Sequence, residues 1–342
     1  MKRIKVGING FGRIGRIFLR LAWEHPELEI VAVNDLSDVA NLAYLLKYDT
    51  VYKKWGEHDV QVEGDSIVID GKKVKVLTEK DPAMLPWKSL EVDVVVESTG
   101  FFNSYDKASA HIKAGAKKVV ISAPVKSEAG GVAGETILMG VNEDKLGTCD
   151  ITANASCTTN GASPLVAILH ETIGIEKALL NTTHALTNSQ PTVDGINKSN
   201  FREGRAGGHN MIPTSTGAAI SVTKAIPALE GLFDGISVRV PIISGSIADI
   251  TFISKRNTTV EEVNEILRKA AKEKRWAGVF GVTDEPLVSS DILGTHHGSV
   301  ADLGLTRVVG GNLVKVMGWY DNEMGYTYTL VDHVLKTGSF IK

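Results

Sequence analysis

Residues 3–9, Arg-Ile-Lys-Val-Gly-Ile-Asn, form a short, mostly apolar run that leads without a spacer into Gly10-Phe-Gly12-Arg13-Ile14-Gly15. Ile14, Ile17, Phe18 and Leu21 then recur at helical spacing. A strand, a three-glycine turn and a helix in immediate succession open a parallel α/β unit. The first glycine permits the tight turn, the second lets backbone approach a pyrophosphate, and the third lets helix pack on strand. Unpaired N–H groups at the helix start supply the anion site. A second strand, Ile30 to Asp35, ends on an acid twenty residues after Gly15, where the fingerprint places a carboxylate on the ribose hydroxyls. An acid there accepts a hydrogen bond from a 2′-hydroxyl and repels a 2′-phosphate, so the pattern selects NAD over NADP.

The rest of the first half continues the same sheet. Val92 to Glu97 and Lys118 to Ser122 read as further buried strands, with helical spacing at Ala108, Ile112 and Ala116 between them. Alternation between Val60 and Leu77 around Gly64 and Asp70-Gly71 predicts an antiparallel hairpin appended to the parallel order. With 342 residues, the chain is long enough for two cores. The expected division is an NAD-binding domain over 1–156, with the closing helix 323–342 packing back on it, and a catalytic domain over 157–322.

Charge and cysteine count exclude several classes. The 37 basic and 40 acidic residues are mixed along the chain, a net charge of -3. That gives no general attraction to nucleic acid or to an acidic membrane surface, so any anion is bound locally. Two cysteines, Cys149 and Cys157, make no disulfide framework and suit a reducing, cytoplasmic setting. Charged residues interrupt every early apolar run, and neither a leader peptide nor a membrane span is expected. His296-His297 has no cysteine or acid at ligand spacing, and no metal site is expected.

In the second half, small residues run up to Cys157 and a helix-forming stretch follows through Pro164 to Leu169. A helix start lowers a thiol's pKa through its unpaired N–H groups, which makes Cys157 a candidate nucleophile. The stretch Lys177–Thr187 carries His184, and only a strand returning beside the helix would bring the imidazole to the thiol. Ser189 to His209 lacks apolar periodicity and reads as a long functional loop. Pro213-Thr-Ser-Thr216-Gly217 offers hydroxyls and backbone donors to an anion. Ser237 to Pro241 and Ile247 to Ser254 alternate as antiparallel strands do. Thr259-Val-Glu-Glu262 is a capping box ahead of an amphipathic helix.

Seven motifs, in order, carry a resemblance. They are N-G-F-G-R-I-G (9–15), V-N-D (33–35), S-C-T-T-N (156–160), H-x-x-T-N-x-Q (184–190), P-T-S-T-G-A-A (213–219), R-V-P (239–241) and W-Y-D-N-E-M-G-Y (319–326). The chain resembles the phosphorylating glyceraldehyde-3-phosphate dehydrogenases over essentially its whole length. The resemblance implies a Rossmann dinucleotide-binding domain, an α+β catalytic domain with a mostly antiparallel sheet, and a homotetramer. It implies Cys157 as nucleophile and His184 as its ion-pair partner and base. Gly10, Gly12, Arg13, Ile14, Gly15, Asp35, Ser122 and Asn322 would contact NAD. Thr187 and Arg239 would hold the substrate phosphate, and Ser156, Thr158, Thr216 and Gly217 would line the site of inorganic phosphate.

That chemistry needs these residue types. A thiolate adds to the aldehyde, the resulting thiohemiacetal loses hydride to nicotinamide, and phosphate releases the remaining thioester as an acyl phosphate. Several positions depart from the family pattern, among them the loop residues Pro191, Gly195 and Ile196, which bear on the preference for NAD. Ser189 replaces an acid, Gly161 replaces a second cysteine four residues after the nucleophile, and Glu203 stands where an ungapped reading expects an arginine. A carboxylate repels the anion that a guanidinium would clamp. Unless Arg202 or Arg205 turns in, acceptor-phosphate affinity should fall, and a related activity on erythrose 4-phosphate, or hydrolysis, gains weight. A non-catalytic nucleotide-binding protein is the alternative of another class.

Overall fold

The computed structural model describes residues 3–125 and 131–341. The chain divides into two compact units, the first comprising Met1–Ile137, Glu143–Ala155 and Leu330–Lys342, the second Leu138–Asn142 and Ser156–Thr329. One boundary therefore falls between Ala155 and Ser156, directly before the candidate nucleophile, and another falls inside the last helix.

The first unit is built on a nine-stranded sheet. Its strands are β1 (Ile4–Asn9), β2 (Leu28–Asn34), β3 (Val60–Glu63), β4 (Ser66–Ile69), β5 (Lys72–Leu77), β6 (Val94–Glu97), β7 (Lys118–Ile121), β8 (Glu135–Thr136) and β9 (Ile151–Ala153), in the order β3-β4-β5-β2-β1-β6-β7-β9-β8. From β5 through β8 every pairing is parallel. β3, β4 and β5 form the expected antiparallel appendage. Helices α1 (Arg13–Trp23), α2 (Val39–Lys47) and α3 (Tyr105–Lys113) complete the unit. α1 buries Ile17, Phe18, Leu19 and Ala22, and a cluster around Trp87, Val95, Ala108 and Val119 fills the space beneath α3.

The fingerprint glycines act by geometry. Gly10 sits at φ +92°, left-handed backbone that a side chain would strain. A Cβ on Gly15 would lie 2.2 Å from the Gly10 carbonyl oxygen, so only glycine lets α1 approach the end of β1 this closely.

The second unit is an eight-stranded sheet with helices. Its elements are α4 (Cys157–Thr172), β10 (Ile175–His184), β11 (Ile212–Ser215), α5 (Ala218–Ala225), β12 (Phe233–Arg239), β13 (Ser246–Ser254), α6 (Val260–Ala270), β14 (Phe280–Thr283), β15 (Ser299–Asp302), β16 (Arg307–Val309), β17 (Leu313–Tyr320) and α7 (Met324–Ser339), which runs on into the first unit. The sheet order is β11-β12-β10-β13-β17-β15-β14, with β16 on β17. Most pairings are antiparallel, as the fold class anticipates. β12 differs from its reading as an antiparallel strand: it runs parallel to β10. Period-2 alternation reports one covered face and says nothing of a neighbour's direction. Here the long connection between β10 and β12 allows a return in the same sense, and β12 keeps an antiparallel partner only in the edge strand β11.

α4 is buried from Thr158 through Leu169 and packs on the sheet. It begins at Cys157 and takes Pro164 inside it. Ser156 caps it by accepting from the Thr159 N–H at 3.1 Å.

Replacing Gly15 by alanine should destabilise the first unit by about 1–3 kcal/mol through overpacking and abolish dinucleotide binding. Urea unfolding and a cofactor titration on the variant check both.

Candidate active site

The N-terminus of α4 and the ends of two parallel strands build the thiol site. In the β10–β12 register His184 lies opposite Arg239, and α4 starts at Cys157. Cys157 Sγ is 3.3 Å from His184 Nε2. The other ring nitrogen, Nδ1, is 2.7 Å from the Ala185 carbonyl oxygen and in hydrogen-bond contact with Nη1 of Arg239. Arg239 Nη1 also donates to that carbonyl at 3.1 Å. Its Nε is buried with no hydrogen-bond partner. A guanidinium with an orphaned buried donor is suited to an anion, which would satisfy the donor and neutralise the charge.

Electrostatics here differ from the ion pair that the family resemblance implies. Burial first, and the Arg239 charge second, pull the His184 pKa down to about 3. Burial pushes the Cys157 thiol up, against the downward pull of Arg239 and of the Thr158 N–H. Both shifts thus run against charge on the couple, and on the ring Arg239 adds to the effect of burial. His184 is buried and Cys157 partly so, beside a cation that opposes a second positive charge on the ring.

Beneath the thiol lies a tyrosine to which the sequence reading assigned no role. The Tyr320 hydroxyl is 2.9 Å from Thr158 Oγ1 and 2.6 Å from Thr182 Oγ1. Its ring meets the His184 imidazole edge-on, with centroids 5.8 Å apart. Gly161 makes room for it, because a Cβ there would stand 2.7 Å from the ring. The signal was present in the alternation of β17, whose buried residues Val314, Val316 and Gly318 put Tyr320 on the inner face.

The proposed phosphate ligands are not gathered equally. Thr158 turns its hydroxyl to Tyr320, and the Ser156 hydroxyl is taken up by capping. Thr187 is exposed, with its hydroxyl 3.0 Å from Ser189 Oγ and 3.3 Å from Gln190 Oε1. Thr216 Oγ1 accepts from the Ala218 N–H, and Gly217 caps α5 without a side-chain bond. Glu203 accepts a hydrogen bond from Thr214, and Arg205 is tied to Asp194 at 2.9 Å. Asn322 is fixed through Oδ1, which accepts from the Gly245 N–H at 2.9 Å and the Ser246 hydroxyl at 3.1 Å. That orientation leaves its amide nitrogen to donate. Asp321 beside it accepts from the Glu323 and Met324 N–H groups and so caps α7, a role its motif did not announce.

The first unit fits a dinucleotide. Gly12 caps α1 with no side-chain bond, leaving its first N–H groups for an anion. A Cβ at Gly12 would meet nothing within 4 Å, so the backbone stands open to a ligand. The Asp35 carboxylate is anchored by the Phe11 N–H at 2.9 Å and the Ser37 N–H at 3.0 Å. Arg13 directs its guanidinium to Asp49 and over the Tyr52 ring. Ile14 lies in the same first turn, and Ser122 follows β7 with its N–H donated to Glu97 O. Among the described residues no group of three His, Cys, Asp or Glu side chains is placed to hold a metal, and no helix is long and apolar enough to cross a membrane.

A dinucleotide fold with a thiol–imidazole couple in the same chain is that of an NAD-dependent dehydrogenase. Residues 4–105 match the family model described as glyceraldehyde 3-phosphate dehydrogenase, NAD binding domain, and residues 156–322 match the corresponding C-terminal domain. The chain belongs to the glyceraldehyde-3-phosphate dehydrogenase family. It is 48% identical over 331 residues to the glyceraldehyde-3-phosphate dehydrogenase of Thermotoga maritima, covering 96% of this chain and 97% of that one. It is 46% identical over 332 residues to the enzyme of Clostridium pasteurianum, covering 96% of each. It is also 46% identical over 331 residues to glyceraldehyde-3-phosphate dehydrogenase 1 of Bacillus subtilis, again covering 96% of each.

In the protein free of cofactor and anions, alkylation of Cys157 by iodoacetamide should rise with a midpoint on the alkaline side. Arg239→Gln should move that midpoint up by about 1 unit, because a nearby cation favours the thiolate. A pH series of alkylation rates checks this, and a midpoint well below neutral in the unaltered protein would show that the charged pair prevails.

Proposed function

We propose that the chain catalyses the NAD-dependent oxidative phosphorylation of glyceraldehyde 3-phosphate to 1,3-bisphosphoglycerate. The observation that carries this reading is the 3.3 Å approach of Cys157 Sγ to His184 Nε2 with the half-satisfied Arg239 against the same imidazole. The substrate phosphate binds Arg239, with Thr187 contributing, and draws the guanidinium's charge away from the ring. His184 then takes the thiol proton, and the thiolate adds to the aldehyde carbon. The Cys157 backbone N–H meets the oxyanion of the thiohemiacetal, and the imidazolium of His184 returns its proton to that oxygen, leaving a hydroxyl and a neutral ring. His184 next removes the hydroxyl proton of that adduct as hydride departs, leaving a thioester on Cys157. NAD, when bound, supplies the hydride acceptor. Inorganic phosphate, received by Ser156, Thr158, Thr216 and Gly217, attacks the thioester carbon, and the Cys157–acyl bond breaks to release the acyl phosphate.

One observation favours a second reading. Glu203 brings no cation and is held by Thr214, and Arg205, one of the two arginines that could turn in, is engaged by Asp194. Hydrolysis of the thioester, or erythrose 4-phosphate as substrate, would follow from a weak acceptor site.

The same reading includes a homotetramer in the cytoplasm, free of membrane and nucleic acid. Two unpaired cysteines agree with a reducing compartment. The second unit's sheet carries exposed apolar side chains, Leu179 at 66% and Ile236 at 56%, beside an apolar groove of about 490 Å³ that includes Leu232 and Leu313. The long loop adds Ile196 and Phe201, exposed at 97% and 86%. Patches of this kind mark association surfaces.

Initial rates with glyceraldehyde 3-phosphate and with erythrose 4-phosphate, each with and without phosphate, test the activity. NADH formation should depend on phosphate and be faster with the triose, and indifference to phosphate would leave the hydrolytic reading standing. His184→Asn should lower kcat by about 10²- to 10⁴-fold. For the assembly, light scattering should give the mass of four chains, and Leu179→Glu should reduce it.

A further inference from the structure

The first turn of α4 uses its backbone N–H groups unevenly. The Thr159 N–H is taken by the Ser156 hydroxyl at 3.1 Å, and the Asn160 N–H closes the first helical bond on the Ser156 carbonyl at 3.0 Å. The N–H groups of Cys157 and Thr158 face the sulfur. The Ser156 carbonyl receives a second donor as well, because Asn160 Nδ2 lies 2.9 Å from it. A carbonyl oxygen only accepts, so the amide nitrogen points at Ser156 and the amide oxygen away from it. That amide oxygen accepts from the Thr329 hydroxyl at 3.1 Å. Asn160 and Thr329 are both buried, and the amide is held in this orientation out of water.

The helix does not need this second donor. The backbone bond from Asn160 already gives the Ser156 carbonyl a partner, and asparagine is a poorer helix former than alanine or leucine. The effect of the amide is electronic, and it falls on the next N–H. The Ser156 C=O and the Cys157 N–H belong to one peptide group, whose resonance passes charge from nitrogen to oxygen. Two donors on the oxygen draw that charge further and leave the N–H a stronger donor, since linked hydrogen bonds polarise one another. Cys157 opens the helix, so no carbonyl one turn back competes for its N–H. The negative oxygen of an adduct on Cys157 is two bonds from the sulfur that this N–H already faces.

We propose that Asn160 is a positioning residue for the oxyanion site: by holding its amide on the Ser156 carbonyl, it strengthens the Cys157 N–H that meets the negative oxygen. This rests on the reading of Cys157 as nucleophile. Asn160 acts through the peptide bond, and its amide is oriented in turn by Thr329. Its contribution is a fraction of a whole donor's. Loss of one oxyanion donor costs about 10²- to 10³-fold in rate, and polarisation by a neighbouring bond alters a donor's strength by about 10–30%, which together correspond to about twofold to eightfold.

Acetylation by p-nitrophenyl acetate tests this without cofactor or phosphate, in a Cys149→Ser background that leaves Cys157 as the one thiol. The rate of the nitrophenolate burst is followed over pH and read on its plateau above the thiol's midpoint. There the sulfur is fully ionised, and stabilisation of the oxyanion is what differs between variants. A serine in a helix donates its hydroxyl to the carbonyl four residues back, whereas alanine has nothing to donate. The plateau for Asn160→Ala should lie about twofold to eightfold below that for Asn160→Ser. In infrared spectra of the protein carrying an isotope-labelled acetyl group, the thioester carbonyl should absorb at higher wavenumber in Asn160→Ala than in Asn160→Ser. Both substitutions remove the amide and its bond to Thr329, so the comparison cancels packing. If the smaller side chains prevent folding, Asn160→Val against Asn160→Thr repeats the comparison with more of the volume filled. A shared plateau and a shared carbonyl frequency within each pair would overturn the proposal. Absence of a burst from the Cys149→Ser protein would overturn Cys157 as nucleophile, a result distinct from a burst that both members of a pair share.

Discussion

The thiol site depends on parallel pairing between β10 and β12. In that register His184 and Arg239 end their strands side by side, and the guanidinium is pressed against the imidazole by the sheet itself. Reversing β12 would send Arg239 to the other end of the sheet and leave the ring without a charged neighbour. The helix that brings Cys157 packs on the same sheet, chiefly against β17, β15 and β13. One backbone arrangement thus sets both the distance between sulfur and nitrogen and the electrostatics that govern them. The cost is an imidazole on which both burial and Arg239 oppose a positive charge.

The first unit was more legible in the sequence than the second. Gly10, Gly12, Gly15 and Asp35 belong to a local motif: strand, turn and helix follow one another within a few residues, so spacing alone constrains their geometry. The appended β3–β4–β5 segment was legible for the same reason, since its turns at Gly64 and Gly71 lie between short alternating runs. Cys157 and His184 are 27 residues apart, and their approach is a tertiary fact that no periodicity contains. Their pairing came from family resemblance. Tyr320 escaped notice as a site residue because its partners, Thr158 and Thr182, come from two distant elements. The direction of β12 was hidden because alternation has no sense along the strand.

Sequence motifs also compressed different roles into adjacent letters. In the S-C-T-T-N run, Ser156 caps the helix, Cys157 presents the sulfur, and Thr158 faces inward to a tyrosine. In the D-N pair, Asp321 caps α7 while Asn322 is locked through its oxygen by the turn before β13. Much of what makes such motifs specific is thus the demand of a helix terminus. The chemistry occupies one or two positions within each, held in place by neighbours whose hydrogen bonds are already committed.

The close fit of Gly161 against the Tyr320 ring bears on how the sulfur ages. A cysteine at position 161, four residues along α4, would have offered Cys157 a partner on its own helix, and the ring now occupies the space that side chain would have needed. A sulfenic acid formed on Cys157 by peroxide therefore has no thiol on that helix with which to condense. Unless a small external thiol reaches it first, further oxidation to the sulfinic acid removes the nucleophile for good. The packing that orders the site thereby leaves its repair to the surrounding solution.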